Sequence, residues 1–181
     1  MVTLSEGGLP FSLSRLQISN CPKLITSRMT WNLQSLPALT SLKIGAGVGN
    51  EDVESFPEQG LLPPTLTYLR ISGFPQLRAL DKNGLQQLPC LKKLHILRCP
   101  ELQTIPEETF PPSLEKLDFY DCPKLQRMPE EGLPTSLQNF HFSDCALLRE
   151  MCLPENGKYW SKIRHIPNIE IDYVRIKPSD P

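Results

Sequence analysis

His95, Asp118 and His141 follow one another at equal intervals of 23 residues, and each sits in the middle of a short segment of alternating apolar residues. If the three segments are neighbouring strands in one register, a carboxylate stands between two imidazoles. Protonated histidines would pair with Asp118 and make binding or local stability depend on pH. The trio suits a metal poorly, because His95 and His141 would lie about twice the ~4.8 Å strand spacing apart. Plain surface placement, with no shared role, is the competing reading.

The remaining reactive residues do not assemble into a catalytic motif. Ser, His, Asp and Cys are all present, but none forms a nucleophile, a base and an orienting partner in sequence. Gly45-Ala46-Gly47-Val48-Gly49 follows a candidate strand without the G-x-G-x-x-G spacing or a long helix behind it, so it reads as an irregular connection. Glu107-Glu108 and Glu130-Glu131 read as solvated charges in turns. The expectation is a non-enzyme without cofactor or metal.

The chain contains six cysteines. Cys21, Cys99, Cys122 and Cys145 recur at one position of a repeated pattern, where a small, weakly donating hydrophobe fits a crowded bend. All four are expected to turn inward beneath strand ends. No C-x-x-C pair occurs, so reduced thiols and an intracellular setting follow better than disulfides or metal binding. Cys90 and Cys152 lie outside this series and remain unassigned.

The pattern itself is leucine, two residues, leucine, one residue, isoleucine, then two residues and cysteine or a substitute. Its copies are Leu13-Leu16-Ile18-Cys21, Leu39-Leu42-Ile44-Gly47, Leu66-Leu69-Ile71-Phe74, Leu91-Leu94-Ile96-Cys99, Leu114-Leu117-Phe119-Cys122 and Leu137-Phe140-Phe142-Cys145. A seventh, degenerate copy, Ile166-Pro167-Asn168-Ile169-Glu170-Ile171, lacks the cysteine, as terminal repeats often do. Successive copies begin roughly 26, 27, 25, 23, 23 and 29 residues apart, within the ~20 to 29 residues of leucine-rich repeats.

Strand side chains alternate between faces, so each copy offers one apolar face that it cannot bury alone. Stacking the copies solves this by sharing a core and pairing each strand with the next. The expected fold is a leucine-rich-repeat solenoid, a curved parallel β-sheet with irregular or short 3₁₀ convex segments. Its 19 prolines cluster between strand frames, at Leu62-Pro63-Pro64 and Phe110-Pro111-Pro112 for example, where they bar long helices and inner ladders. Leu85-Gln86-Gln87-Leu88 is expected to form one helical turn. Gly8, Gly60 and Gly132 mark tight reversals. One domain covers 1–181, with six repeats in 1–152 and a degenerate repeat plus cap or tail in 153–181.

Binding is expected on the residues between the leucines. Strand by strand these are Arg15 and Gln17; Lys43; Tyr68 and Arg70; Lys92, Lys93, His95 and Arg98; Glu115, Asp118, Tyr120 and Asp121; Gln138, Asn139, His141 and Asp144; then Glu170 and Asp172. The early and central strands are basic and the later ones acidic, a gradient suited to a bipolar protein partner. Tyr68 and Tyr120 add aromatic anchors. A merely solvated face is the alternative.

With a net charge of −1 the chain has no global basic field for nucleic acid. Met1-Val2-Thr3-Leu4-Ser5-Glu6 lacks the features of an export signal, and no apolar run approaches the ~18 residues of a membrane span.

Three phrases carry a family resemblance: Gly132-Leu133-Pro134-Thr135-Ser136-Leu137, the recurrent Cys-Pro-x-Leu exemplified by Cys21-Pro22-Lys23-Leu24, and Trp160-Ser161-Lys162-Ile163-Arg164-His165-Ile166-Pro167-Asn168-Ile169. The chain resembles the C-terminal leucine-rich-repeat region of plant coiled-coil nucleotide-binding leucine-rich-repeat disease-resistance proteins. The resemblance implies a cytoplasmic or nuclear sensor for a pathogen effector or host guardee protein that also restrains a nucleotide-switch domain. The phosphate-binding G-x-x-x-x-G-K-[ST] motif is absent from this sequence, so ATP switching is not expected of it. An exposed repeat edge is expected near Leu4 to Leu16. A substrate-recognition adaptor of a ubiquitin ligase, or a structural repeat fragment, is the alternative.

Overall fold

A computed structural model describes residues 9–21, 31–47, 52–154 and 156–176. Leu4, Gly8, Pro22 to Leu24, Val48 and Gly49, which figure in the readings above, lie outside the described residues.

Eight strands form one sheet in the order β1 (Arg15–Ile18), β2 (Ser41–Ile44), β4 (Tyr68–Ser72), β6 (Lys93–Leu97), β7 (Lys116–Tyr120), β8 (Asn139–Ser143), β9 (Asn168–Ile171) and β10 (Val174–Ile176). Seven of them run parallel, and repeat frames meet without slippage: Leu42 pairs with Leu69, Leu69 with Leu94, Leu94 with Leu117, Leu117 with Phe140, and Phe140 with Ile169. A shift of one residue would put every one of these side chains into water. They are instead fully buried at 0% exposure, and their i+2 neighbours Ile44, Ile71, Ile96, Phe119, Phe142 and Ile171 lie in the same core.

Phenylalanines replace aliphatics in the later repeats. Phe119 meets Phe140 edge-on at 6.4 Å, and Phe140 lies 5.2 Å from Phe142, so the wider rings interlock between repeats.

One geometry also ties three of the repeats to the repeat before through a hydroxyl. Thr65 Oγ1 donates to the Leu39 carbonyl at 2.9 Å, Ser113 Oγ to Leu91 at 2.9 Å and Ser136 Oγ to Leu114 at 2.7 Å. Each hydroxyl immediately precedes the first leucine of its repeat. The Pro-Pro-Thr-Leu, Pro-Pro-Ser-Leu and Pro-Thr-Ser-Leu phrases therefore satisfy a carbonyl that the turn would otherwise leave open.

The return segments depart from a purely irregular or 3₁₀ reading. Leu33–Ser35 is a 3₁₀ turn, but α1 (Lys82–Gln86), α2 (Ala146–Cys152) and α3 (Trp160–Ile163) are short α-helices. The turn expected at Leu85–Leu88 starts earlier, because Asp81 caps it by accepting from the Gly84 N–H at 2.9 Å. A second, smaller ladder also appears. β3 (Ser55–Phe56) pairs parallel with β5 (Ala79–Leu80), and single bridges carry the series from Ala79 to Thr104 and Arg127. Buried Phe56, Leu80, Ile105 and Met128 point inward from it.

Gly60 (φ +76°) and Gly132 (φ +95°) occupy left-handed backbone, as their tight reversals require. At the end of the sheet β10 turns back antiparallel on β9 through Asp172 (φ 48°) and Tyr173 (φ 65°), a two-residue hairpin of the type with both central residues left-handed. Asp tolerates that conformation; Tyr rarely does.

The cysteine series holds in three of four cases. Cys99, Cys122 and Cys145 are buried, but Cys21 is exposed. Its Sγ donates to the carbonyl two residues back at 3.3 Å, just as the Sγ atoms of Cys99, Cys122 and Cys145 do. The local conformation is therefore shared, and the difference is that β1 is the edge strand of the described sheet. Cys90 is exposed and Cys152 buried.

Candidate protein-recognition face

On each strand of the sheet the side chains opposite the core point to its outer face, and register brings them into rows. One row reads Gln17, Lys43, Arg70, His95, Asp118, His141 and Glu170, each paired with the next. Asp118 therefore does lie between two histidines.

Its contacts are close. His95 Nδ1 donates to Asp118 Oδ2 at 2.8 Å, Lys116 Nζ lies 3.4 Å from the same oxygen, and His141 Nδ1 lies 3.4 Å from Oδ1. Burial pushes the Asp118 carboxyl up, but the His95 hydrogen bond and the charges of His95, Lys116 and His141 outweigh it and hold the carboxyl below its usual range. Tyr68 covers the other side of His95, with ring centroids 5.1 Å apart. Buried within this packing, His95 Nε2 has no hydrogen-bond partner among the described residues. Burial likewise raises the Tyr68 hydroxyl above its ordinary value, against the opposing charge of Arg70.

A shallow hollow of about 190 Å³ borders this group, lined by His95, Asp118, Tyr120, His141, Glu170 and Tyr173 among others. A hydrogen bond with Tyr173 raises the Tyr120 hydroxyl. Tyr173 is 72% exposed, and it was not legible as part of the face, because the hairpin that carries it was not expected. Lys116 was also missed. Its i+2 relation to Asp118 placed it in the outward frame, as the same relation placed Lys93 with His95.

Other candidates stand elsewhere. Arg98, Asp121 and Asp144 lie just past the ends of β6, β7 and β8 in left-handed backbone, at φ 52°, 54° and 53°. They are exposed on the turn, not projected from the pleated face. Asn20 and Gly73 share this left-handed position, so the recurrence of Asn, Gly and Asp there has a backbone cause. Lys92 and Glu115 precede their strands and pair with each other at 2.9 Å.

Arg15, Lys43, Tyr68, Arg70 and Lys93 remain on the face. Several of them, with Lys92, line an open basin of about 730 Å³ over the first four strands of the sheet.

The paired glutamates are exposed but not merely solvated. Glu108 pairs with Lys82, and Glu107 Oε1 accepts from the Glu130 N–H at 2.7 Å. Glu130 itself meets Lys162 at 2.8 Å and Lys158 at 3.1 Å, which lower its carboxyl to about 2. Tyr159, buried beneath, donates its hydroxyl to the Met128 carbonyl and accepts from the Met128 N–H at 3.3 Å. This cluster fastens the segment leading to α3 onto the smaller ladder.

Among the described residues no group of three or more His, Cys, Asp or Glu is arranged to hold a metal ion, and no helix is long and apolar enough to cross a membrane.

No protein-family model matches the chain. Over 106 residues, 59% of its length, it is 43% identical to an Arabidopsis thaliana protein named as a disease resistance protein, At3g14460. Over 101 residues, 52% of its length, it is 35% identical to the disease resistance protein SUMM2 of the same plant. The chain spans only 7% and 11% of these two relatives. Across more than half its length, then, this chain is a homologue of plant disease resistance proteins.

Proposed function

We propose that the chain is a curved leucine-rich-repeat solenoid segment that acts as a non-enzymatic protein-recognition and autoregulatory module, like the sensor region of a cytoplasmic plant immune receptor. Residues 1–152 supply six repeats and 153–181 a degenerate repeat with its cap. The outer sheet face is the recognition surface, and its partners are a pathogen effector or guarded host protein and the receptor's nucleotide-switch domain.

The observation that carries this reading is the unbroken register of the row from Gln17 to Glu170. It sets charged, aromatic and imidazole groups side by side on a rigid sheet, where a protein surface can meet them together. Homology to disease resistance proteins supports the immune setting.

The test is binding of the purified chain to the nucleotide-switch domain of a plant disease-resistance receptor supplied in trans, and to candidate effectors. Charge reversal of Arg70, Lys93 and Asp118 together abolishes the binding in this account. Unchanged affinity in that triple variant would place the contact surface elsewhere.

A further inference from the structure

The two halves of the outer face differ in how their charges are satisfied. On one half, Lys116 of β7 and His141 of β8, joined by His95 from the neighbouring β6, converge on one carboxylate, Asp118, and Lys92 is held by Glu115. The strands on the other half, β1, β2, β4 and β6, contribute Arg15, Lys43, Arg70 and Lys93 and contain no acidic residue.

Lys43 and Arg70 are direct register partners, and like charges placed opposite each other on neighbouring strands repel. Arg70 interacts with the Tyr68 hydroxyl; no carboxylate among the described residues forms an ion pair with Arg15, Lys43 or Lys93. A sheet face that neutralises one half internally leaves the other as an open array of cations around Tyr68.

We infer that this basin, lined by Arg15, Lys43, Tyr68 and Lys93 with Arg70 beside Lys43 in the sheet register, docks an acidic, extended segment of a protein partner. The inference rests on the recognition reading above and names the chemistry of what is recognised. Shape selects a chain segment over a single small anion. The cations spread across four adjacent strands, a span of about 14 Å at ~4.8 Å per strand, which matches an extended segment of about four residues at ~3.3 Å each. The basin is open along its length, and Tyr68 at its centre offers an amphipathic ring to the segment's side chains. Partner carboxylates would relieve the Lys43–Arg70 repulsion that the free face carries.

The test uses a fluorescent peptide of about eight mixed aspartates and glutamates, read by anisotropy against the whole chain, with its Gln/Asn counterpart as control. The acidic peptide binds and the neutral one does not, and affinity falls about tenfold or more between ~0.05 and ~0.3 M salt, as exposed charge pairing requires. K43E/K93E loses at least about tenfold in affinity, whereas Lys124→Glu, remote from the basin, leaves it unchanged. K43Q/K93Q, which adds no repulsive charge, serves if the reversal fails to fold, and gives a smaller loss in the same direction.

Equal binding by the basin variants and the Lys124 variant would overturn the inference. So would displacement of the peptide by inorganic phosphate at matching charge concentration, which marks a small-anion site, or tighter binding of single-stranded RNA. Should the chain ignore the peptide while reversal of Arg70, Lys93 and Asp118 still abolishes binding to the nucleotide-switch domain, the acidic segment is excluded and the recognition face stands. If neither responds, both readings fall.

Discussion

Asp118 and His95 meet across adjacent parallel strands, with His95 Nδ1 2.8 Å from Asp118 Oδ2 and each side chain only 20% exposed. Register places them side by side, and the partial burial makes the pairing matter. A hydrogen bond to a charged group shielded from water is worth more than one in the open.

Asp118→Asn tests that pairing. At neutral pH the variant should lose about 1.5–3 kcal/mol, the usual range for a hydrogen bond to a charged group. The folded-state carboxyl titrates below its unfolded value of about 3.9, so its stabilisation is fully present above that value and disappears as pH falls through the folded one. Urea unfolding of both proteins from neutral to acidic pH should show the gap closing at the acid end. A gap that stays constant into acid would remove Asp118 as the titrating group.

Thiol reactivity should divide six cysteines into two classes. Cys21 and Cys90 are exposed, whereas Cys99, Cys122, Cys145 and Cys152 are buried. Burial pushes the Cys152 thiol up to about 12, and hydrogen bonding with Cys145 and Cys99, reinforced by burial, raises Cys122 well above its ordinary value. Alkylation of the folded protein at mildly alkaline pH, read by mass spectrometry, should modify Cys21 and Cys90 quickly and the rest only after denaturation. Rapid labelling of Cys122 in the native protein would contradict the packing.

The Glu130 cluster gives the fold a second acid-sensitive point. Tyr159→Phe removes a hydroxyl hydrogen-bonded to both polar groups of the Met128 backbone, and should cost about 1–2 kcal/mol in chemical unfolding. Lys162 and Lys158 lower Glu130 to about 2, so its contribution is present above the ordinary glutamate value and is lost as pH falls toward 2. Glu130→Gln should flatten that part of the acid-unfolding profile. An identical profile would show the ion pairs to be inert.

The repeat frame was legible because strand alternation and a shared core leave little choice. Once Leu69, Leu94 and Leu117 face inward, Arg70, His95 and Asp118 must share the outer row, and one slip would expose every leucine. The hydroxyl ties from Thr65, Ser113 and Ser136 enforce the same spacing through the backbone.

What escaped the sequence depends on neighbours or on backbone conformation. Arg98, Asp121 and Asp144 looked like face residues by chemistry, but their left-handed turns take them off it. The smaller β3–β5 ladder is made of segments too short to show alternation. β10 was obscured because its turn pairs Asp172 with Tyr173, where Asn-Gly or Asp-Gly is the stronger signal. Glu130 looked solvated, since the lysines that hold it come from a segment roughly 30 residues away in sequence.

The central claim is that aliphatic and polar residues of each repeat face opposite sides of a single in-register sheet. Hydroxyl-radical footprinting of the folded chain, read residue by residue by mass spectrometry against the denatured chain, tests it most directly. Tyr68, Arg70, Tyr120 and His141 should be modified in the folded protein, and Leu69, Leu94, Leu117 and Phe140 protected. Modification of Leu69, Leu94 and Leu117 as heavy as in the denatured chain would contradict the fold and, with it, the recognition face.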